Sequence, residues 1–496
     1  MRSLRPLLLV VPVILIVVIS AWWYISAVQR DGKIFDESEP DLPVSSVKIN
    51  KAEYKQLRTE QIAMWRGLDT AEQGSRSRAI KNMERGERER DARRAERNER
   101  PSGVERWHFI GPAPIPVNAS TTYSGRVASL AVHPTNPNIV YAGAAQGGLY
   151  RSLNGGASWT PLLDEALSLS IGSIAISPSD PTTVFVGTGE TSFSSDSFFG
   201  VGIYRITSAD TNPVLSVPLN KNAGGTDVFT GRGISEIIIH PSDPNRLIAT
   251  SAQGIAGIGG STIGANLPNA GVYRTTNALA ANQVFEKLAI QGTLAAGRSI
   301  ADAAVDPADP NRILVSVVGS GGDGGVYLTT NAYDAVPTFT RTQAIGDGTS
   351  TGRTEFAVQR TGGVMTVYAA SGVSNGTVYK SVDGGATFAP LSGGLGFCSP
   401  QCFYDIAIAV DPNDGEKVYL CGSPSLVFGR SLNGGATFTN SSAHLHVDTH
   451  AFAIAPSGAP GIGQSESSSS TTSVPKNRST VRFSNGIAAD SVVRSG

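Results

Sequence analysis

The chain has 496 residues, and 40 Lys and Arg against 41 Asp and Glu leave a net charge of -1, so no global positive field exists to attract nucleic acid or anionic lipid. Its 56 glycines and 28 prolines lack the strict period of collagen and indicate many turns, which favours an all-β chain. Three cysteines are too few for a disulfide scaffold.

In chain order, Arg2 and Arg5 precede the uncharged apolar run LLLVVPVILIVVISAWWYI at residues 7–25, with Trp22, Trp23 and Tyr24 at its outer end. At about 1.5 Å per residue such a run crosses roughly 30 Å of hydrocarbon. No small-x-small cleavage site follows it. Residues 1–28 are therefore expected to be a single-pass signal anchor in the cell membrane, N-terminus inside, with the bulk of the chain extracytoplasmic; secretion after signal cleavage is the alternative. Residues 29–100 read as a linker and charged spacer, partly helical. Tyr54, Leu57, Gln61, Met64 and Trp65 allow a modest amphipathic helix, and ERGERERDARRAERNER at 84–100 sets Glu84 four residues from Arg88 and Glu89 four from Arg93. Composition changes at Pro101, which opens the domain assigned to 101–456; residues 457–496 form a low-complexity tail.

Within that domain one unit recurs. Its clearest copy, residues 125–162, holds four short strand candidates, RVASLAV, NIVYAGAA, GGLYRS and ASWTPL, separated by HPTNP, a glycine turn and LNGG. Further copies open near residues 171, 233, 300, 355 and 404, and a seventh begins at HLHVDTHAFAIAP. Two and four residues before the turn proline stand large apolar residues, as in Val132 with Leu130 and Ile176 with Ile174. The residue between them is usually small, as in Ala131 and Ala175. Four strands per unit, with six recognisable units and the start of a seventh, predict an all-β β-propeller after an N-terminal transmembrane helix. After residue 456 the pattern stops, and the expectation is a missing remainder of the seventh blade, by truncation or a shift of frame, or else a ring closed with fewer blades.

The stretches SLNGGASW, SVDGGATF and SLNGGATF, at residues 152–159, 381–388 and 431–438, resemble the Asp-box, or bacterial neuraminidase repeat. Residues 107–456 resemble exported Asp-box repeat proteins, including sortilin N-terminal-like ones. The resemblance implies a propeller of Asp-box type and gives the box residues a structural role. Ser152, Asn154, Gly156 and Trp159, then Ser381, Asp383, Gly385 and Phe388, then Ser431, Asn433, Gly435 and Phe438 would build the three turns. It does not imply sialidase activity.

Candidate chemistry is sparse. Arg126, Arg232, Arg298 and Arg353 occur singly, and the plainer expectation is that each binds carbonyls within its own blade. Glu236, Asp302 and Asp405 lie near the ends of inner-strand candidates. Propeller enzymes that cut xyloglucan carry an aspartate where this chain, reading YAGAAQGGLYR, has Ala145 followed by Gln146, and hydrolysis by two carboxylates needs both partners. His444, His446, Asp448 and His450 alternate along one extended strand, a set suited to a divalent metal or, as the preferred reading, to a hydrogen-bonded channel network. No cofactor is otherwise expected. Cys398 and Cys402 could form a local disulfide if the chain is exported, unpaired thiols being the favoured reading. TSFSSDSFFG at 191–200, with Phe193, Phe198 and Phe199, is either a recognition loop or one that folds its aromatics inward. These features favour a membrane-tethered binding or scaffolding module for protein or glycan ligands without enzymatic activity; a sialidase-like or glucan-active glycoside hydrolase is the alternative.

Overall fold

The computed structural model describes residues 125–193, 197–253, 267–290, 298–319, 323–345, 352–423, 426–442, 449–455 and 460–464. It also describes residues 115–116, 122–123, 82, 85, 86, 88 and 89. The anchor expected at 1–28, most of the 29–100 spacer and the tail beyond 464 lie outside the described residues. Residues 82, 85, 86, 88 and 89 are helical, and Arg85 donates to the Asn82 side chain at 2.9 Å. No helix among the described residues is long and apolar enough to cross a membrane.

The architecture is all-β. Among the described residues, six four-stranded antiparallel sheets follow one another, each made of four consecutive strands. In the first unit these are Val127–Val132, Val140–Ala144, Gly148–Ser152 and Thr160–Pro161. The first strands of the next five are Ile171–Ile176, Gly233–Ile239, Ile300–Asp306, Thr354–Thr361 and Ala407–Asp411. A seventh unit pairs Thr449–Ile454 with Pro460–Gln464. The tail therefore supplies a second strand, where none was expected after residue 456. Pro460 opens that strand, a position at which a missing N–H is tolerated.

Successive first strands lie against one another, and Thr449–Ile454 touches both Ala407–Asp411 and Val127–Val132. The arrangement is blade-like, with apolar clusters between adjacent sheets rather than within one central core. Between units one and two, Tyr141 and Leu149 meet Ile171, Ile174 and Val184. Glycine in the second strand permits this approach: a Cβ on Gly143 would stand 2.4 Å from Ile171 Cγ2, and one on Gly187 2.5 Å from Ile234 Cγ2. Third-strand cations tie neighbouring units together. Arg151, Arg205 and Arg274 donate to the carbonyls of Ala209, Ala278 and Ala332 in the following unit, at 2.7, 2.9 and 2.9 Å.

The turns after the third strands account for the repeated box. The Ser152, Ser381 and Ser431 hydroxyls accept from the N–H of Gly156, Gly385 and Gly435 at 2.8, 2.9 and 2.9 Å. Asn154, Asp383 and Asn433 accept from the N–H of Ser158, Thr387 and Thr437 at 2.9, 2.9 and 3.0 Å. The three glycines hold φ of 87°, 86° and 82°, a region that a side chain would strain. Trp159 donates to the Gly156 carbonyl at 3.0 Å, while Phe388 and Phe438 pack on the adjoining apolar clusters. In degenerate copies the Thr275 and Thr329 hydroxyls donate to the Asn277 and Asn331 side-chain oxygens at 3.0 Å, as Ser152 does to Asn154.

Candidate active site

One cavity of about 190 Å³ lies where the first strands converge. Five of the seven first strands share a local irregularity beside it, while Thr354–Thr361, which carries Glu355, pairs in regular register. Strand pairing is irregular between Val127 and Ser129, Ile171 and Ser173, Ile234 and Glu236, Ile300 and Ala303, and Thr449 and Ala451. A bulge there turns an extra residue toward the middle and twists the strand. Five residues before the turn position, the seven units carry Ser129, Ser173, Glu236, Asp302, Glu355, Ala407 and Ala451. Three successive units thus bring a carboxylate to the same level of one cavity, between small residues that leave it open.

Their environments differ. Burial pushes the Glu236 carboxyl up to about 8, although the Ile237 N–H and the Ser173 hydroxyl donate to it at 3.0 and 3.4 Å, and the Glu355 charge adds to the rise. Asp302 is pushed well above the usual carboxylate range, first by burial and then by the charges of Glu236 and Glu355. Its two oxygens accept from the N–H of Ala303 and Phe356 at 2.8 and 2.7 Å. Burial also raises Glu355, but Arg353 opposes that rise by donating directly to the carboxylate. Burial thus favours the protonated form at all three carboxyls, and of the three only Glu355 has an arginine that opposes this.

A second group lies against the same cavity. Arg126 donates to both oxygens of Glu190 at 2.8 and 2.6 Å and to the Tyr404 hydroxyl at 2.7 Å. Glu190 is only 1% exposed. It is presented by the 191–200 loop, whose Phe198 carbonyl accepts the Glu190 N–H at 2.9 Å and the Ser170 hydroxyl at 3.0 Å. Phe198 and Phe199 stack at 4.9 Å, both half-buried. The loop therefore turns part of its aromatic surface inward and sets Glu190. Asp405 and His450 are buried with Oδ1 and Nδ1 3.5 Å apart, and the Tyr404 ring meets the imidazole edge-on at 4.3 Å.

Of the four candidate arginines, the structure brings Arg126 and Arg353 to this centre. Arg353 also donates to the Tyr404 carbonyl, so both arginines reach across units rather than binding only carbonyls of their own. Arg232 donates to the Pro268 carbonyl at 2.6 Å and Arg298 to Asp323 at 2.7 Å, within their own units. His444, His446 and Asp448 lie outside the described residues. Among the described residues no group of three or more His, Cys, Asp or Glu has the arrangement to hold a metal ion. Cys398 and Cys402 form a disulfide, where unpaired thiols were favoured, and Cys421 is a buried free thiol. Glu190, Glu355 and Tyr404 were missed from sequence; alignment of the residue five before the turn would have found Glu355.

No protein-family model matches the chain, and no curated protein matches it. Solved structures similar to it include the GH74 xyloglucanase from Xanthomonas campestris, with a TM-score of 0.47 and 17% identity over 70% of this chain and 52% of that one. An ancestral GH74 enzyme gives a TM-score of 0.45 and 15% identity over 72% of this chain and 45% of that one. YCF48 from Cyanidioschyzon merolae gives 0.43 and 12% over 68% and 93%. The chain spans about half the length of the two GH74 enzymes. The expectation of a non-catalytic binding or scaffolding module is corrected by the three carboxylates that one cavity gathers. The physical reason for the error lies in the acids: Ala145 and Gln146 leave the first unit without one, but units three to five supply three carboxylates to one cavity.

Proposed function

We propose that the chain is a glycoside hydrolase on a closed seven-bladed propeller of Asp-box type, with Asp302 as the acid and Glu355 as its ionised partner. The single observation that carries this reading is that Glu236, Asp302 and Glu355 share one cavity, in which Glu355 alone of the three is paired with an arginine. Cleavage of a glycosidic bond needs a carboxylic acid to protonate the leaving oxygen and a carboxylate to activate water or attack the anomeric carbon. Asp302, whose burial and acidic neighbours favour its protonated form, suits the first role. Glu355, supported by Arg353, suits the second. Glu236 keeps a proton of its own and, when ionised, raises Asp302 further.

The cavity, at about 190 Å³, is smaller than the roughly 300 Å³ at the low end of common ligand pockets, which favours removal of one terminal unit over binding of a long glycan run. A neutral glycan is favoured over a sialoside, because Arg126 and Arg353 are already paired with Glu190 and Glu355, which offsets the charge they would offer a substrate carboxylate. Ring closure is supported by the contact of the seventh first strand with the first, and Asp-box membership by the serine turns. The apolar run at 7–25 would tether the enzyme to the membrane, with the catalytic unit outside the cytoplasm. The test is incubation of the purified full chain with aryl glycosides and oligosaccharides, neutral and sialylated, against a heat-inactivated control. Release of single end units from a neutral substrate is expected. No turnover above control across the panel refutes the proposal.

A further inference from the structure

The Cys398–Cys402 disulfide lies on the connection between the fifth and sixth sheets, two residues before Tyr404. That connection is wedged between two units. A Cβ on Gly376 would stand 2.6 Å from Phe397 Cδ1, one on Gly422 2.3 Å from the Phe397 carbonyl oxygen, and one on Gly372 2.6 Å from the Cys402 carbonyl oxygen. Inside the loop, Gln401 N–H donates to the Cys398 carbonyl at 2.8 Å, and the N–H groups of Tyr404 and Asp405 donate to the Gln401 carbonyl at 2.7 and 2.9 Å. One hydrogen-bonded turn thus runs from the disulfide to the residues that enter the centre.

Tyr404 then meets three other units at once. Its hydroxyl accepts from Arg126, which holds Glu190; its carbonyl accepts from Arg353, which holds Glu355; its ring packs on His450. A change in where the loop places Tyr404 would reach both arginine–carboxylate pairs. We propose that the Cys398–Cys402 disulfide fixes Tyr404 as the positioning residue of the cavity, so that a dithiol reductant regulates the site. In that exchange the dithiol gives two electrons and two protons, the S–S bond breaks to two thiols, and the reductant closes to its own disulfide. Cys398 is buried, whereas Cys402 is half-buried and is the more open end of the bond.

The regulatory meaning rests on the hydrolase reading, but the positioning is measurable without turnover. The full chain carrying ¹³C at tyrosine Cζ is compared by NMR before and after treatment with dithiothreitol, and again as the Cys398→Ser, Cys402→Ser double variant. The expected result is that one tyrosine resonance moves on reduction and in the double variant, the others stay, and Tyr404→Phe removes the one that moves. If Tyr404→Phe does not fold, Arg126→Lys identifies the resonance by shifting it. A spectrum in which no tyrosine resonance moves overturns the proposal, as does a change across all tyrosines, which would report unfolding. A shift at Tyr404 with no hydrolysis of any glycan would uphold the positioning and remove the hydrolase reading. Hydrolysis with an unmoved Tyr404 would do the reverse.

Discussion

Replacing Glu236 with Gln should change how stability depends on pH. Burial lifts this carboxyl from an ordinary value of 4.5 to about 8 in the folded chain. Between those values the folded protein binds a proton that the unfolded chain has released, so wild-type stability falls as pH rises, by about 1.4 kcal/mol per pH unit for one proton. From pH 5 to pH 7 the loss attributable to Glu236 is about 3 kcal/mol, reduced to about 2 kcal/mol because the side chain borders a solvent-accessible cavity. Gln resembles the protonated acid in shape and cannot ionise. The variant should match wild type near pH 5 and exceed it by about 2 kcal/mol at pH 7. Urea unfolding at pH 5, 6, 7 and 8 measures the difference. Parallel stability curves for the two proteins across that range would refute the assigned environment of Glu236.

Arg126→Ala should cost about 3 kcal/mol, because it strands Glu190, buried to 1% exposure, without its two-pronged partner; denaturant midpoints at constant m measure it, and a loss below about 1 kcal/mol would contradict the account. Asp383→Ala should cost about 1 to 2 kcal/mol by removing the acceptor of the Thr387 N–H and hydroxyl, seen as a lowered urea midpoint. Gly187→Ala forces a methyl within 2.5 Å of Ile234 and should cost about 1 to 3 kcal/mol by the same measurement.

The box turns were legible because their hydrogen bonds each span four residues or fewer from the serine or the residue two after it, so spacing alone encodes them. Strand order was legible for a related reason: turn proline, small residue and glycine pair repeat in register along the chain. The site was only half legible. Glu236 and Asp302 stood out as acids near inner strands, but their meeting depends on the packing of separate sheets. Glu355 was obscured because Arg360 replaces the proline that marks the register in the other units. Glu190 follows a second strand, and only the Phe198 carbonyl and the Ser170 hydroxyl that receive and orient its backbone reveal where it goes. The spacing of Cys398 and Cys402 allowed a bond without requiring one. The second strand of the seventh unit, PGIGQ, was invisible because its glycines carry no strand pattern.

The most direct measurement is the rate of end-unit release from the best neutral glycan in the panel by wild type, Asp302→Asn and Glu355→Gln, with far-ultraviolet circular dichroism confirming that each remains folded. The account predicts turnover by wild type and a loss of at least about 100-fold in kcat for each variant, the usual scale for removing an acid or base. Wild-type rates retained by both folded variants would contradict it.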